Sequence, residues 1–112
     1  FFEECPVPIY IVSNIDRVDI LAAVEYHGLH PRDVFTSEDA KSYKPRKELF
    51  ELALMKTGLA ADEVLHIGDS LSSDVKGASL VGISPIWVNR SGKEVPGNVT
   101  AVSSLLEVLP YL

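Results

Sequence analysis

Three clusters of side chains in this 112-residue sequence are of types that can handle a phosphoryl group. Ser13-Asn14 follows the apolar run Tyr10-Ile11-Val12. A hydroxyl with backbone N–H groups at a strand-to-helix turn is suited to hold a phosphoryl oxygen. The same pair also suits a plain helix N-cap. In Ser42-Tyr43-Lys44-Pro45, the residue before proline is held extended, which leaves the Lys44 ammonium free to reach an anion. Lys41 and Lys47 nearby read as solvated. The third cluster is Leu65-His66-Ile67-Gly68-Asp69-Ser70-Leu71-Ser72-Ser73-Asp74, in which an apolar strand delivers Gly68-Asp69 and a second aspartate follows five residues on. Magnesium takes oxygen ligands and is content with one or two carboxylates plus water and a substrate phosphate. Asp69 is placed for that role. Asp74 falls at the opening of the next helix, where a metal and the helix dipole are both available to it.

The elements that must position these clusters alternate short apolar runs with helix-like stretches, which predicts an α/β fold with a parallel sheet. Strands are expected near residues 8–13, 34–36, 64–68 and 84–88. Between them lie a helix from Asp16 to His27 closed by Gly28 and a second opened by Pro45 and ended by Gly58 near Thr57. Ala61-Asp62-Glu63 reads as a tight turn, Asp74 to Val81 as a short helix stopped by Gly82, and Asn89 to Asn98 as a loop. Ser103-Ser104 would cap a last helix through Leu109. Each polar cluster then lies past the C-terminal end of a strand or in a loop at that edge, where open α/β sheets bind ligands.

Taken in order, Ile-Val-Ser-Asn, Ser-Tyr-Lys-Pro and His-Ile-Gly-Asp-Ser-Leu-Ser-Ser-Asp resemble motifs two, three and four of the haloacid dehalogenase-like (HAD) superfamily. Gly-Ala-Ser-Leu-Val-Gly-Ile and Ile-Trp-Val-Asn-Arg resemble its continuation. Three motifs in order are far more specific than any one of them. The resemblance implies a three-layer α/β/α Rossmann-like parallel sheet whose absent central strand would separate the first two strands from the last two. It implies that Ser13, Asn14 and Lys44 bind the phosphoryl group, with Ser13 and Lys44 taking part in catalysis. It further implies that Asp69 binds Mg²⁺, and that Asp74 binds it or orients its waters.

One departure is large. The family's first motif, an Asp-x-Asp that supplies the nucleophile and the general acid/base, does not occur in these residues. Glu3-Glu4 precedes the first strand, at its wrong end, and Asp16 and Asp19 fall on the opening turns of a helix. The residues therefore read as the C-terminal part of a core domain, with the cap and first strand elsewhere. The expected parent is a Mg²⁺-dependent phosphomonoesterase acting through an aspartyl-phosphate, the chain alone being inactive. The alternatives are a haloacid dehalogenase, a phosphomutase, or a non-catalytic remnant that binds phosphate or Mg²⁺. The Gly68-Asp69 signature favours a phosphatase over a dehalogenase. A response-regulator receiver is disfavoured by the two strand–helix units that follow Lys44.

Composition narrows the partners. Sixteen acidic against ten basic residues give a formal charge of -6, which disfavours a nucleic-acid or anionic-membrane surface. The expected ligand is a small-molecule phosphoester, with self-association or pairing with the nucleophile segment as the protein contact. The single cysteine, Cys5, and the lack of a basic leader point to the cytoplasm. The opening Phe1-Phe2, without Met, points to a fragment or processed product. His66 and Trp87 read as packed strand residues, and His27 with His30 make a poor zinc site.

Overall fold

The computed structural model describes residues 4–14, 16–41 and 46–112. Strand β1 (Tyr10–Ser13) leads to helix α1 (Arg17–Tyr26) and strand β2 (Asp33–Thr36). The short helix α2 (Ser37–Ala40) and the longer α3 (Lys47–Thr57) follow, then a 3-10 turn over Ala61–Glu63 and strand β3 (Leu65–Gly68). A π turn over Leu71–Val75 runs into α4 (Lys76–Leu80), and strands β4 (Ser84–Val88) and β5 (Ala101–Val102) precede a closing 3-10 segment, Leu105–Tyr111.

A glycine ends α3 where the chain turns left-handed: Gly58 caps it at φ 71°, and its N–H bonds the Leu54 carbonyl. Strand β1 pairs with β2 in parallel, Ser13 opposite Thr36. Strands β3, β4 and β5 form a second parallel sheet in that order, with Gly68 opposite Trp87 and Val88 opposite Val102.

Strand periodicity divides the second sheet into two faces. Leu65 and Ile67 of β3 pack with Ile86, Val88, Val102 and Val108, so the C-terminal 3-10 segment covers that face. Between them, His66 points the other way and meets the ring of Phe50 from α3, edge-on at 4.9 Å. Phe50, Ala78 and Ile83 form the core there, with Leu54, Val64 and Val81 around them. Phe50 and Leu49 are almost wholly buried. Each such side chain contributes about 1.5–3 kcal/mol by leaving water. Helices thus cover both faces of this sheet, as an α/β fold requires.

The four expected strands form within a residue or two, and a fifth, β5, pairs beyond them. Its two residues lie in a stretch with no strand-like run of its own, and β4's free edge recruits them through Trp87 N–H to Thr100 O and Asn89 N–H to Val102 O. The helix expected from Asp74 begins earlier, as the π turn at Leu71. The last helix is a 3-10 segment with Pro110 inside it, since proline lacks the N–H that an α-helix needs. Helix α3 opens at Lys47 after an Arg46 N-cap; Pro45 lies outside the described residues.

Candidate active site at the ends of the strands

At the end of β3 the chain is shaped around the carboxylate of Asp74, which is 5% exposed. One oxygen lies 2.9 Å from Nε2 of His66, and the other accepts the Ser70 N–H at 3.2 Å. The π turn makes this possible. Its widened first loop brings both the Asp74 and the Val75 N–H to the Ser70 carbonyl, and the Ser70 hydroxyl accepts the Ser73 N–H. The turn lays Asp74 directly over Gly68, where a Cβ would overlap Cγ and Oδ2 of the carboxyl group. Glycine is therefore required by the close approach of an acid, not by backbone angle. His66 is the packed strand residue its sequence suggested, held against Phe50, and it is also the partner of Asp74.

Asp69 is the opposite case, an exposed carboxylate one residue past the strand. Its backbone is fixed from behind by Trp87, whose indole N–H donates to the Asp69 carbonyl at 3.1 Å. Trp87 is buried as expected, and its polar edge finds a partner beside the site. Asp69 and Trp87 border a cavity of about 250 Å³ that extends over Asn89, Arg90 and Lys93 in the loop after β4.

The other sheet ends in Ser13-Asn14. The Asn14 carbonyl accepts the Ser37 hydroxyl at 3.2 Å, joining the ends of β1 and β2. The pair stands just before α1, whose N-cap position is occupied by Asp16 without a side-chain cap bond. Ser13 is thus the last residue of β1, Asn14 follows it, and the N-cap position itself belongs to Asp16.

Sequence reading missed α2, although Thr36-x-x-Asp39 is a recognisable capping box. The Asp39 carboxylate accepts the Thr36 N–H at 2.9 Å and the Thr36 hydroxyl at 3.1 Å. Arg17 adds an ion pair at 3.0 Å and a bond to the Val34 carbonyl. The Thr36 backbone bond, foremost, holds the Asp39 carboxyl below its ordinary value, with burial opposing and the Thr36 hydroxyl and Arg17 charge assisting. This network locks the start of α1 onto the end of β2.

Lys44 lies outside the described residues. Among the described residues no three His, Cys, Asp or Glu side chains come together as a metal site. The donor set at the β3 end does fit Mg²⁺, which needs a hard, open carboxylate and completes its octahedron with water and phosphate. Asp69 offers an exposed carboxylate, while Asp74 is buried with both of its oxygens already bonded.

A family model described as HAD-hydrolase-like matches residues 43–105. The HAD-hydrolase YfnB of Bacillus subtilis is 37% identical over 88 residues, 76% of this chain and 37% of YfnB. A crystal structure of YfnB bound to magnesium superimposes with a TM-score of 0.83 at 32% identity, covering 93% of this chain and 47% of that one. A HAD phosphatase from Thermococcus onnurineus gives 0.84 at 29% identity, over 93% and 49%. A 2-haloacid dehalogenase from Pseudomonas syringae gives 0.76 at 26%, over 93% and 45%. The chain therefore spans little more than a third of YfnB and about half of each solved structure. With Gly68-Asp69 at a parallel strand end, Asp74 folded back over the glycine, and this agreement in sequence and shape, the chain belongs to the HAD-like hydrolase family.

Proposed function

We propose that this chain is the phosphate- and magnesium-binding part of a phosphomonoesterase core, working with an Asp-x-Asp segment that it does not itself contain. The observation that carries this reading is the pairing of an exposed Asp69 with a buried, doubly bonded Asp74 at one strand end. A dehalogenase forms its ester without a metal and has no need of that pair. The magnesium-bound YfnB structure supports the same choice.

In this reading Ser13 and the Asn14 backbone hold phosphoryl oxygens, and Lys44 neutralises charge between phosphoryl group and nucleophile. Asp69 holds Mg²⁺ and Asp74 keeps the Asp69 loop and its waters oriented. Bound there, the metal would offset the charge of the phosphate oxygens. The contribution of these residues is positioning and charge stabilisation, which dominate phosphoryl transfer. The attacking carboxylate comes from the Asp-x-Asp segment. Substrate, nucleophile segment and cytoplasmic location are parts of this proposal, and no helix among the described residues is long and apolar enough to cross a membrane.

Phosphate release from p-nitrophenyl phosphate tests the reading, measured on this chain and on a protein in which an Asp-x-Asp segment precedes it. Turnover should need the added segment and Mg²⁺, and should fall at least a hundredfold with Asp69→Asn. Turnover that ignores Mg²⁺, or that survives Asp69→Asn, would sink it.

A further inference from the structure

We infer that the cavity beside Asp69 is a second anion subsite, in which Arg90 and Lys93 receive a carboxylate or phosphate carried by the substrate in addition to the phosphoryl group that is removed. The inference rests on the phosphatase reading and names its substrate class: small phosphomonoesters with a second anionic group.

The loop that builds the subsite is fixed. Asn89, one residue past β4, donates its side-chain amide to the Lys93 carbonyl at 2.7 Å and accepts the Lys93 N–H at 3.0 Å. Gly92 takes the left-handed turn this closure needs, at φ 66°. The chain is thus tied into a small ring that presents Arg90 and Lys93 to the cavity. Neither side chain forms an ion pair among the described residues, although the molecule carries a net charge of -6.

The cavity is therefore polarised, with one carboxylate on the β3 side and two uncommitted cations on the β4 side. A divalent cation belongs at the first and an anion at the second. A phosphoester chelated to the metal and bearing a second negative arm satisfies both at once. Arginine is suited to this because its planar fork binds carboxylate or phosphate in two places. At about 250 Å³ the space suits a small group, below the roughly 300–1,000 Å³ of pockets for larger ligands.

Trp87 borders the same cavity and is the chain's single tryptophan, so its emission reports binding there. The chain is titrated at fixed ionic strength, with Mg²⁺ in excess, with 2-phosphoglycolate and with ethyl phosphate. Phosphoglycolate should bind about tenfold more tightly, the scale of two partly exposed charge-assisted contacts. Arg90→Gln with Lys93→Gln should abolish that difference, while Arg32→Gln with Lys56→Gln, which removes two exposed charges elsewhere, should leave it. Equal affinities, no saturable signal with phosphoglycolate, or a difference that survives the first double variant would each overturn the subsite. Failure of the metal reading looks different: the preference for phosphoglycolate would persist while neither Mg²⁺ nor Asp69→Asn changed it.

Discussion

The buried acid at position 74 lies over Gly68 and bonds His66, and each of these two contacts can be tested singly. Adding one methyl group at Gly68 drives a Cβ into the carboxyl group of Asp74. Gly68→Ala should lower stability by about 1–3 kcal/mol, the usual cost of overpacking, as read by urea unfolding. An unchanged midpoint would mean that Asp74 does not sit over the glycine. His66→Phe keeps a ring against Phe50 but takes away the bond to Asp74 Oδ1. Loss of that partner should cost about 1–3 kcal/mol. If the variant proved as stable as the parent, His66 would be packing alone.

Each strand end is braced by a helix, and the two braces differ in kind. Helix α3 works by burial, through Phe50 and Leu49. Phe50→Ala should destabilise the chain by about 3–5 kcal/mol, measured by thermal or urea melting, because the site beneath His66 is left hollow. Helix α2 works by charge, through Asp39. A carboxyl whose pKa is lower folded than unfolded adds stability that is present above its unfolded value and lost as pH falls through its folded one. Melting temperature should therefore drop as pH falls below the ordinary aspartate value of 3.8, and Asp39→Asn should flatten part of that acid limb while lowering stability at neutral pH. A pH profile unaltered by Asp39→Asn would assign the acid limb to other groups.

For the whole molecule, the arrangement into two sheets, β1-β2 and β3-β4-β5, matters most. Helix α1 has no buried residue, and Val18 and Leu21 are exposed at 78% and 42%. Apolar surface of this kind favours association. Sedimentation velocity should show self-association of the isolated chain that grows with concentration, and Leu21→Asp should weaken it. A monomer at all concentrations would refute that use of the surface.

The sequence by itself determined the class of fold, the order of β1 to β4 with α1 and α3 between them, and the acidic strand end, because these depend on local periodicity and on short-range spacing. Apolar runs announced β1 to β4, and Gly58 and Gly82 marked the ends of what precedes them. Gly68-Asp69 was legible because both residues lie on one strand and its exit. Long-range placement was not legible. Strand β5 exists only because β4 offers a free edge, and the π turn only because Ser70 is shared by two N–H groups. Asp74 had a metal and a helix cap open to it in sequence; burial over Gly68 against His66 gave it fixed partners. Trp87 was legible as core by its apolar flanks, whereas its bond to the Asp69 carbonyl depends on the register that sets Trp87 opposite Gly68. Arg90 was legible only as the end of the family-like Ile-Trp-Val-Asn-Arg run, and Lys93 carried no signal, since a cation in a loop is ordinarily solvated. The Asn89 clamp and the parallel pairing of β3 with β4 place them on the lining of the same cavity as Asp69, because cross-strand proximity is set by sheet register and not by distance along the chain.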